Sequence, residues 1–100
     1  MRYWLSFDLG LRGNYEDLYA WLDSKSAREC GDSIATFSVD LTPEQLKLQL
    51  DHLFNSNSRA RIYLIHNREG RLHGEFIIGG RKRAPWSGFA EDIVVDEEEE

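Results

Sequence analysis

A short basic and aromatic segment near the C-terminus is the first candidate for chemistry. It reads Arg81-Lys82-Arg83-Ala84-Pro85-Trp86 and follows two consecutive glycines. Clustered bases neutralise phosphates, and a neighbouring tryptophan can stack on an unpaired base. The segment therefore predicts a nucleic-acid contact, with RNA or DNA as the partner. Its members would be Arg81, Lys82, Arg83 and Trp86. In the competing interpretation, Trp86 and Phe89 pack back onto the protein as a hydrophobic lid, and the bases are solvated or pair with the acidic C-terminus.

Two histidines and a glutamate are the second candidate, here for a transition metal. If Glu69-Gly70 is a two-residue turn, His66 lies opposite His73 across a hairpin, and Glu75 follows on the same face. Imidazole and carboxylate groups are ligands of zinc and similar metals. The set depends on strand register, because a slip of one residue turns one histidine to the other face. The alternative is a group of polar residues on a solvated face.

Asp8 is the third candidate, because it lies at the end of the first predicted strand. Hard cations such as Mg²⁺ or Mn²⁺ prefer carboxylate oxygens, which this residue offers. The alternative is a solvated acid that caps the following loop. We therefore expect a divalent metal, if one is bound, to be held by Asp8.

Length and composition limit the class of protein. A chain of 100 residues, 41% of them hydrophobic, has enough apolar material for one folded domain. No apolar run approaches the length of a membrane span, so no membrane association is expected. The single cysteine, Cys30, cannot form an internal disulfide and is predicted to be buried and inert. These features predict a cytoplasmic protein.

Charge is unevenly distributed along the chain. Residues 91–100 carry seven acids and no base, whereas residues 1–90 carry 11 acids and 12 bases. Residues 59–83 carry seven bases and two acids. We predict a single domain over 1–90 and a mostly disordered acidic tail over 91–100, since runs of like charge repel one another. The alternative is a tail that folds over the basic block and competes with a polyanion.

Hydrophobic periodicity predicts the elements that position these residues. Alternation and capping signals place helices from Tyr15 to about Ser24 and from Pro43 to Phe54, the second after a Thr-Pro-Glu-Gln start. Helical spacing predicts a buried stripe on each helix, formed by Tyr15, Leu18, Tyr19 and Leu22 on the first and by Leu46, Leu50, Leu53 and Phe54 on the second. The predicted strands are Met1–Leu9, Arg28–Cys30, Ser33–Val39, Arg59–His66 and Leu72–Ile78, with a short final strand over Asp92–Val95. This order predicts an α+β, ferredoxin-like sandwich: an antiparallel sheet with two helices on one face and an added C-terminal strand.

Several of these segments together resemble a known family. The first strand ends in Phe7-Asp8, a later strand reads Ser33-Ile34-Ala35-Thr36-Phe37, the second helix starts with Leu-Thr-Pro-Glu at 41–44, and Arg-Ile-Tyr follows at 61–63. In this ordered set, over roughly residues 1–66, the chain resembles the small CRISPR-associated adaptation protein (Cas-two) family and its VapD toxin relatives. The resemblance implies a homodimer of ferredoxin-like subunits. It also implies either a metal-dependent nuclease in which Asp8 is the catalytic ligand, or a nonenzymatic DNA-binding scaffold.

Two functions are therefore expected from the sequence. The first is a dimeric Cas-two or VapD-like protein that binds nucleic acid and has possible metal-dependent endonuclease activity. The second is a noncatalytic dimeric protein-interaction module that uses the acidic tail and the basic segment to bind itself or a partner. Overall near-neutrality of residues 1–90 favours the second, because dedicated nucleic-acid binders are more basic.

Overall fold

The computed structural model describes residues 1–54 and 59–90, which form five strands and two helices. The elements are β1 (Arg2–Asp8), α1 (Tyr15–Ser24), β2 (Arg28–Glu29), β3 (Ile34–Ser38), α2 (Pro43–Phe54), β4 (Arg61–Arg68) and β5 (Arg71–Ile78). Each corresponds to a predicted element, with ends that differ by at most two residues. The predicted strand over 92–95 and the predicted acidic tail lie outside the described residues.

The five strands form one open antiparallel sheet in the order β2-β3-β1-β4-β5. β1 is central, and its Leu5 lies opposite Ala35 on one side and Leu64 on the other. The β4–β5 hairpin has the predicted register, with Asn67 opposite Leu72. The prediction of an α+β protein with an antiparallel sheet and two helices is confirmed.

Local side-chain contacts explain where α1 begins. Asn14 is the N-cap, and its Oδ1 accepts a hydrogen bond from the backbone N–H of Asp17 at 3.3 Å.

The buried face of α1 agrees only in part with the predicted stripe. Leu18 and Leu22 are buried as predicted. Tyr19 was predicted on the buried stripe but is 55% exposed. Its ring still meets the buried Phe7 edge-on, with centroids 6.2 Å apart, and Trp21, which lies off the predicted stripe, packs edge-on against Phe37 of β3 with centroids 5.6 Å apart.

The start of α2 is a reciprocal capping box. The backbone N–H of Gln45 donates to the Thr42 hydroxyl at 3.2 Å, and the backbone N–H of Thr42 donates to the Gln45 side-chain oxygen at 2.8 Å. Leu46, Leu50 and Phe54 form the buried stripe of this helix. The sequence pattern therefore predicted both the start and the orientation of α2.

The core lies between the helices and one face of the sheet. The residues of β1 that point into it are Tyr3, Leu5 and Phe7, which belong to one buried cluster with residues of both helices. The intervening residues of the strands point to the opposite face, because side chains alternate along a strand. We call this second surface the open face; it is formed by the half-buried side chains of Trp4, Ser6, Ile34, Tyr63, Ile65 and Phe76.

The prediction that Cys30 is buried was wrong. This residue is exposed, at the turn that follows the two-residue edge strand β2. Its thiol makes only a long contact of 3.8 Å with the carbonyl oxygen of Ile34. So short a strand at the edge of the sheet leaves the following residue outside the core, although cysteine is one of the residue types most often buried.

Candidate nucleic-acid interface

Three strands meet at one end of the sheet, where the start of β4 and the chain after β5 bring basic residues together. β1 ends there at Asp8, β4 begins there at Arg61, and β5 ends there at Ile78. Together with the chain that follows β5 they surround a shallow depression of about 470 Å³. We call this surface the basic end. The charged residues that line it are Asp8, Arg59, Arg61, Arg81 and Lys82. Among these described residues four are bases and one is an acid.

A glycine at the end of β5 brings the basic segment to this place. Gly79 has φ +71°, a backbone conformation that glycine adopts readily and other residues rarely. A Cβ atom on Gly79 would also meet the carbonyl oxygen of Ala60 and would lie 3.3 Å from the Cα of Arg61. The close approach explains why Arg81 and Lys82, two and three residues later, lie beside the start of β4.

Asp8 is already engaged by its neighbours. Its Oδ2 forms an ion pair with Nη2 of Arg61 at 2.9 Å, and its Oδ1 accepts a hydrogen bond from the backbone N–H of Gly10 at 3.1 Å. The hydrogen bond from Arg61, followed by that from Gly10, lowers the pKa of the Asp8 carboxyl below its usual value, and the charges of Arg61 and Lys82 act in the same direction. Asp8 is therefore ionised at neutral pH. It neutralises part of the basic end and also caps the loop after β1.

A second depression, of about 550 Å³, continues from the basic end onto the open face. Its floor is formed by Tyr63 and Phe76, which are cross-strand partners. Arg83 and Trp86 line its far side. Trp86 is 73% exposed and Phe89 is 69% exposed, so neither is covered in the manner of the hydrophobic lid that was the competing interpretation.

His66 and His73 lie directly opposite each other, as the sequence predicted. Their rings are stacked, with centroids 5.9 Å apart and planes at 23°. His66 is 6% exposed, and its Nδ1 has no hydrogen-bond partner among the residues that the structure describes, whereas His73 and Glu75 are exposed. In residues 1–54 and 59–90 no three His, Cys, Asp or Glu side chains come close enough to share an ion. A metal at His66, His73 and Glu75, or at Asp8, stays a prediction.

Sequence reasoning missed Tyr63, Phe76 and Gly74 as part of this surface. The tip of the Tyr63 ring lies over Gly74 of the neighbouring strand, where an added Cβ would come within 2.6 Å of Cε2 and 2.8 Å of Cζ. The signal was present in the predicted hairpin register, which places residue 63 near residues 74 and 76. The register alone was not enough to identify an exposed aromatic surface, because it does not say which face of the hairpin the helices cover.

Of the two helices in the described part of the chain, neither has the length and apolar character needed to cross a membrane.

Comparison of the chain with protein-family models, with curated proteins and with solved structures gave no match.

Proposed function

We propose that this protein binds nucleic acid through the basic end. The observation that carries the proposal is the convergence of Arg61, Arg81 and Lys82 on one depression, although they come from two separate parts of the chain. Phosphate groups of a nucleic-acid backbone are recognised by such clustered cations, which release condensed counterions when they bind. The fold holds these bases together even though the body of the protein is almost neutral.

The ion pair between Asp8 and Arg61 sets the charge of this surface. Asp8 offsets one of the bases, so the net local charge comes chiefly from Arg81, Lys82 and Arg83. All three are exposed, and they follow one another along the chain. A phosphodiester backbone that passes along the basic end would place consecutive phosphates against these consecutive basic side chains.

A ferredoxin-like arrangement and a relationship to the Cas-two and VapD proteins form part of the same proposal. They are supported by the element order β1-α1-β2-β3-α2-β4 and by the central position of β1 between β3 and β4. Under this proposal β5 is the added strand, and its outer edge, which no strand within residues 1–54 and 59–90 covers, pairs with a second subunit. The homodimer is tested by light scattering of the purified protein, where a mass near 11.6 kDa would contradict it.

Metal-dependent cleavage at Asp8 remains a separate prediction. A metal ion bound by this carboxylate would have to replace or share the contact with Arg61. We therefore treat binding as the primary function, and incubation of bound RNA or DNA with Mg²⁺ or Mn²⁺ tests for cleavage.

Fluorescence-anisotropy titration of the full chain with labelled single-stranded RNA, single-stranded DNA and duplex DNA tests the proposal. In the critical variant, Arg81→Glu and Lys82→Glu are combined. The matched control combines Arg68→Glu and Arg71→Glu, a pair of bases at the opposite end of the β4–β5 hairpin. Strand geometry places that pair about 23 Å from the end of β5.

We expect the wild-type protein to bind and its affinity to fall as salt is raised. The critical variant should lose at least about tenfold in affinity, and the control should lose much less, because removal of two phosphate contacts lowers both the affinity and its salt dependence. Equal losses in both variants would contradict the assignment to the basic end. Absence of binding to every oligonucleotide would reject nucleic-acid binding and favour the protein-interaction module.

A further inference from the structure

The open face is an aromatic surface that continues directly from the basic end. The buried residues of α1 and α2 pack against the other face of the sheet, so no helix in the described ranges covers it. Arg61 lines both the depression of the basic end and the depression above Tyr63 and Phe76. A ligand held at the basic end therefore extends naturally onto these two rings.

Tyr63 and Phe76 are held in a defined arrangement. Their ring centroids are 5.0 Å apart, and the ring planes meet at 79°. Both side chains are half-buried, so part of each ring remains open to solvent. Such an edge-to-face pair is a favourable arrangement of two aromatic rings and restricts their rotation.

Gly74 is the reason that the Tyr63 ring can lie across the neighbouring strand. Gly74 lacks the positive φ that would itself require glycine, so its backbone conformation suits other residues. The space above it is the constraint, because the tip of the Tyr63 ring occupies the position of a Cβ atom. Gly74 thus acts as a positioning residue for Tyr63.

Trp86 provides a third ring at the side of the same depression. It lies five residues after Arg81, behind Pro85, and is largely exposed. Basic side chains and aromatic side chains therefore line the same depression. Proteins that bind single strands combine these two features, because phosphates are attracted to the basic side chains and nucleobases stack on the aromatic rings.

We propose that Tyr63, Phe76 and Trp86 form a stacking surface for unpaired nucleobases, so that the ligand is single-stranded nucleic acid. This inference rests on the proposed function, since the basic end supplies the phosphate contacts. Duplex nucleic acid keeps its bases stacked inside the helix and cannot place them on these rings. Stacking accepts every base, so the surface selects for strandedness and tolerates different sequences.

The experiment measures the affinities of the full-length protein for a single-stranded RNA, the DNA of the same sequence and the corresponding DNA duplex. The variants are Tyr63→Leu, Gly74→Ala and their combination, with Phe76→Leu as a second test of the ring pair. Tyr19→Leu is the matched control, because Tyr19 is an exposed tyrosine on α1, away from the open face. Circular dichroism melting confirms that each variant is folded.

Tyr63→Leu should lower single-strand affinity by about tenfold, the loss expected for one base–aromatic contact, and should leave duplex affinity within about twofold. Gly74→Ala should reduce single-strand affinity by displacing the ring, and should have no further effect once Tyr63 is Leu. This lack of additivity distinguishes ring positioning from general destabilisation of β5. If Tyr63→Leu does not fold, Phe76→Leu and Gly74→Ala give the same test.

Two results would separate this inference from the function on which it rests. Equal binding of single strands and duplex, unchanged by Tyr63→Leu, would reject the stacking surface and leave phosphate binding at the basic end intact. If the wild-type protein binds none of the three ligands, both the stacking surface and nucleic-acid binding at the basic end are rejected. The RNA and DNA arms distinguish the two sources of single strand, because only RNA offers a 2′-hydroxyl for recognition.

Discussion

Replacement of Asp8 by asparagine separates the structural, binding and catalytic roles that this residue can have. The substitution keeps the size of the side chain and removes its charge. If Oδ1 keeps the hydrogen bond from Gly10, the amide NH2 group takes the place of Oδ2 and faces Nη2 of Arg61, so both the ion pair and its hydrogen bond are lost because both groups are donors. The interaction at 2.9 Å is worth about 1.4 kcal/mol by Coulomb's law in bulk water.

The net loss of stability should be smaller than this figure. Half of the Asp8 side chain and a quarter of the Arg61 side chain are exposed, so salt screens the pair and the ordering of both side chains opposes it. We expect Asp8→Asn to lower the free energy of unfolding by about 0.5 kcal/mol, which corresponds to about 2–4 °C in Tm for a domain of this size.

The pH dependence of this difference has a definite sign. Because folding lowers the pKa of Asp8, the carboxylate contributes stability above the pKa of the unfolded chain and loses it as the pH falls through the lower folded-state value. The stability difference between the wild-type protein and Asp8→Asn should therefore be constant at neutral pH, begin to shrink near the usual aspartate pKa of about 4, and disappear only below the lower folded-state pKa.

The effect on ligand binding is the decisive measurement. Removal of the carboxylate leaves Arg61 without its anionic partner, so Arg61 can contact about one additional phosphate. For a single strand, the slope of log affinity against log salt concentration should then become steeper by about 0.7. Anisotropy titrations at several salt concentrations should thus show tighter binding by Asp8→Asn. Weaker binding, or an unchanged salt dependence, would refute our account of the basic end. Metal-dependent cleavage by the wild-type protein that disappears in Asp8→Asn would instead establish the catalytic role.

Three further predictions follow from particular contacts. Thr42→Ala removes one half of the capping box and should lower the free energy of unfolding by about 1 kcal/mol, measured by urea denaturation, whereas an unchanged midpoint would contradict the contribution of the cap. Cys30 should react with a thiol reagent in the native protein at nearly the rate seen in denaturant, and strong protection would contradict its exposed position. A chain that ends at Ala90 lacks seven acids and should bind polyanions more tightly at low salt than the full chain; equal affinity would show that the acidic segment does not compete for the basic end.

Local signals account for the parts of the fold that were predicted correctly. The capping box at Thr42 and Gln45 defines where α2 begins, because it satisfies backbone donors with neighbouring side chains. The turn at Glu69-Gly70 sets the register that brings His66 opposite His73. Both features depend on a few adjacent residues, so the sequence alone was sufficient.

Packing between distant elements accounts for the predictions that failed. Tyr19 is largely exposed and reaches the core only through Phe7, whereas Trp21, outside the predicted stripe, packs against Phe37 of β3, because the way α1 lies on the sheet decides which side chains meet these rings. Cys30 is exposed because β2 contains only two residues at the edge of the sheet. Neither the rotation of a helix on a sheet nor the depth of an edge position is encoded in hydrophobic periodicity.

By itself, the sequence determined the order of the elements, the caps of the helices, the hairpin register and the presence of a basic segment before Trp86. The tertiary structure alone decided that Arg61 and Lys82 meet at Asp8, and that Tyr63 and Phe76 lie on the uncovered face beside them. Periodicity assigns residues to two faces of a strand, whereas the covered face is selected by where α1 and α2 pack. The basic end and the open face are joined because strands distant in the chain are neighbours in the sheet.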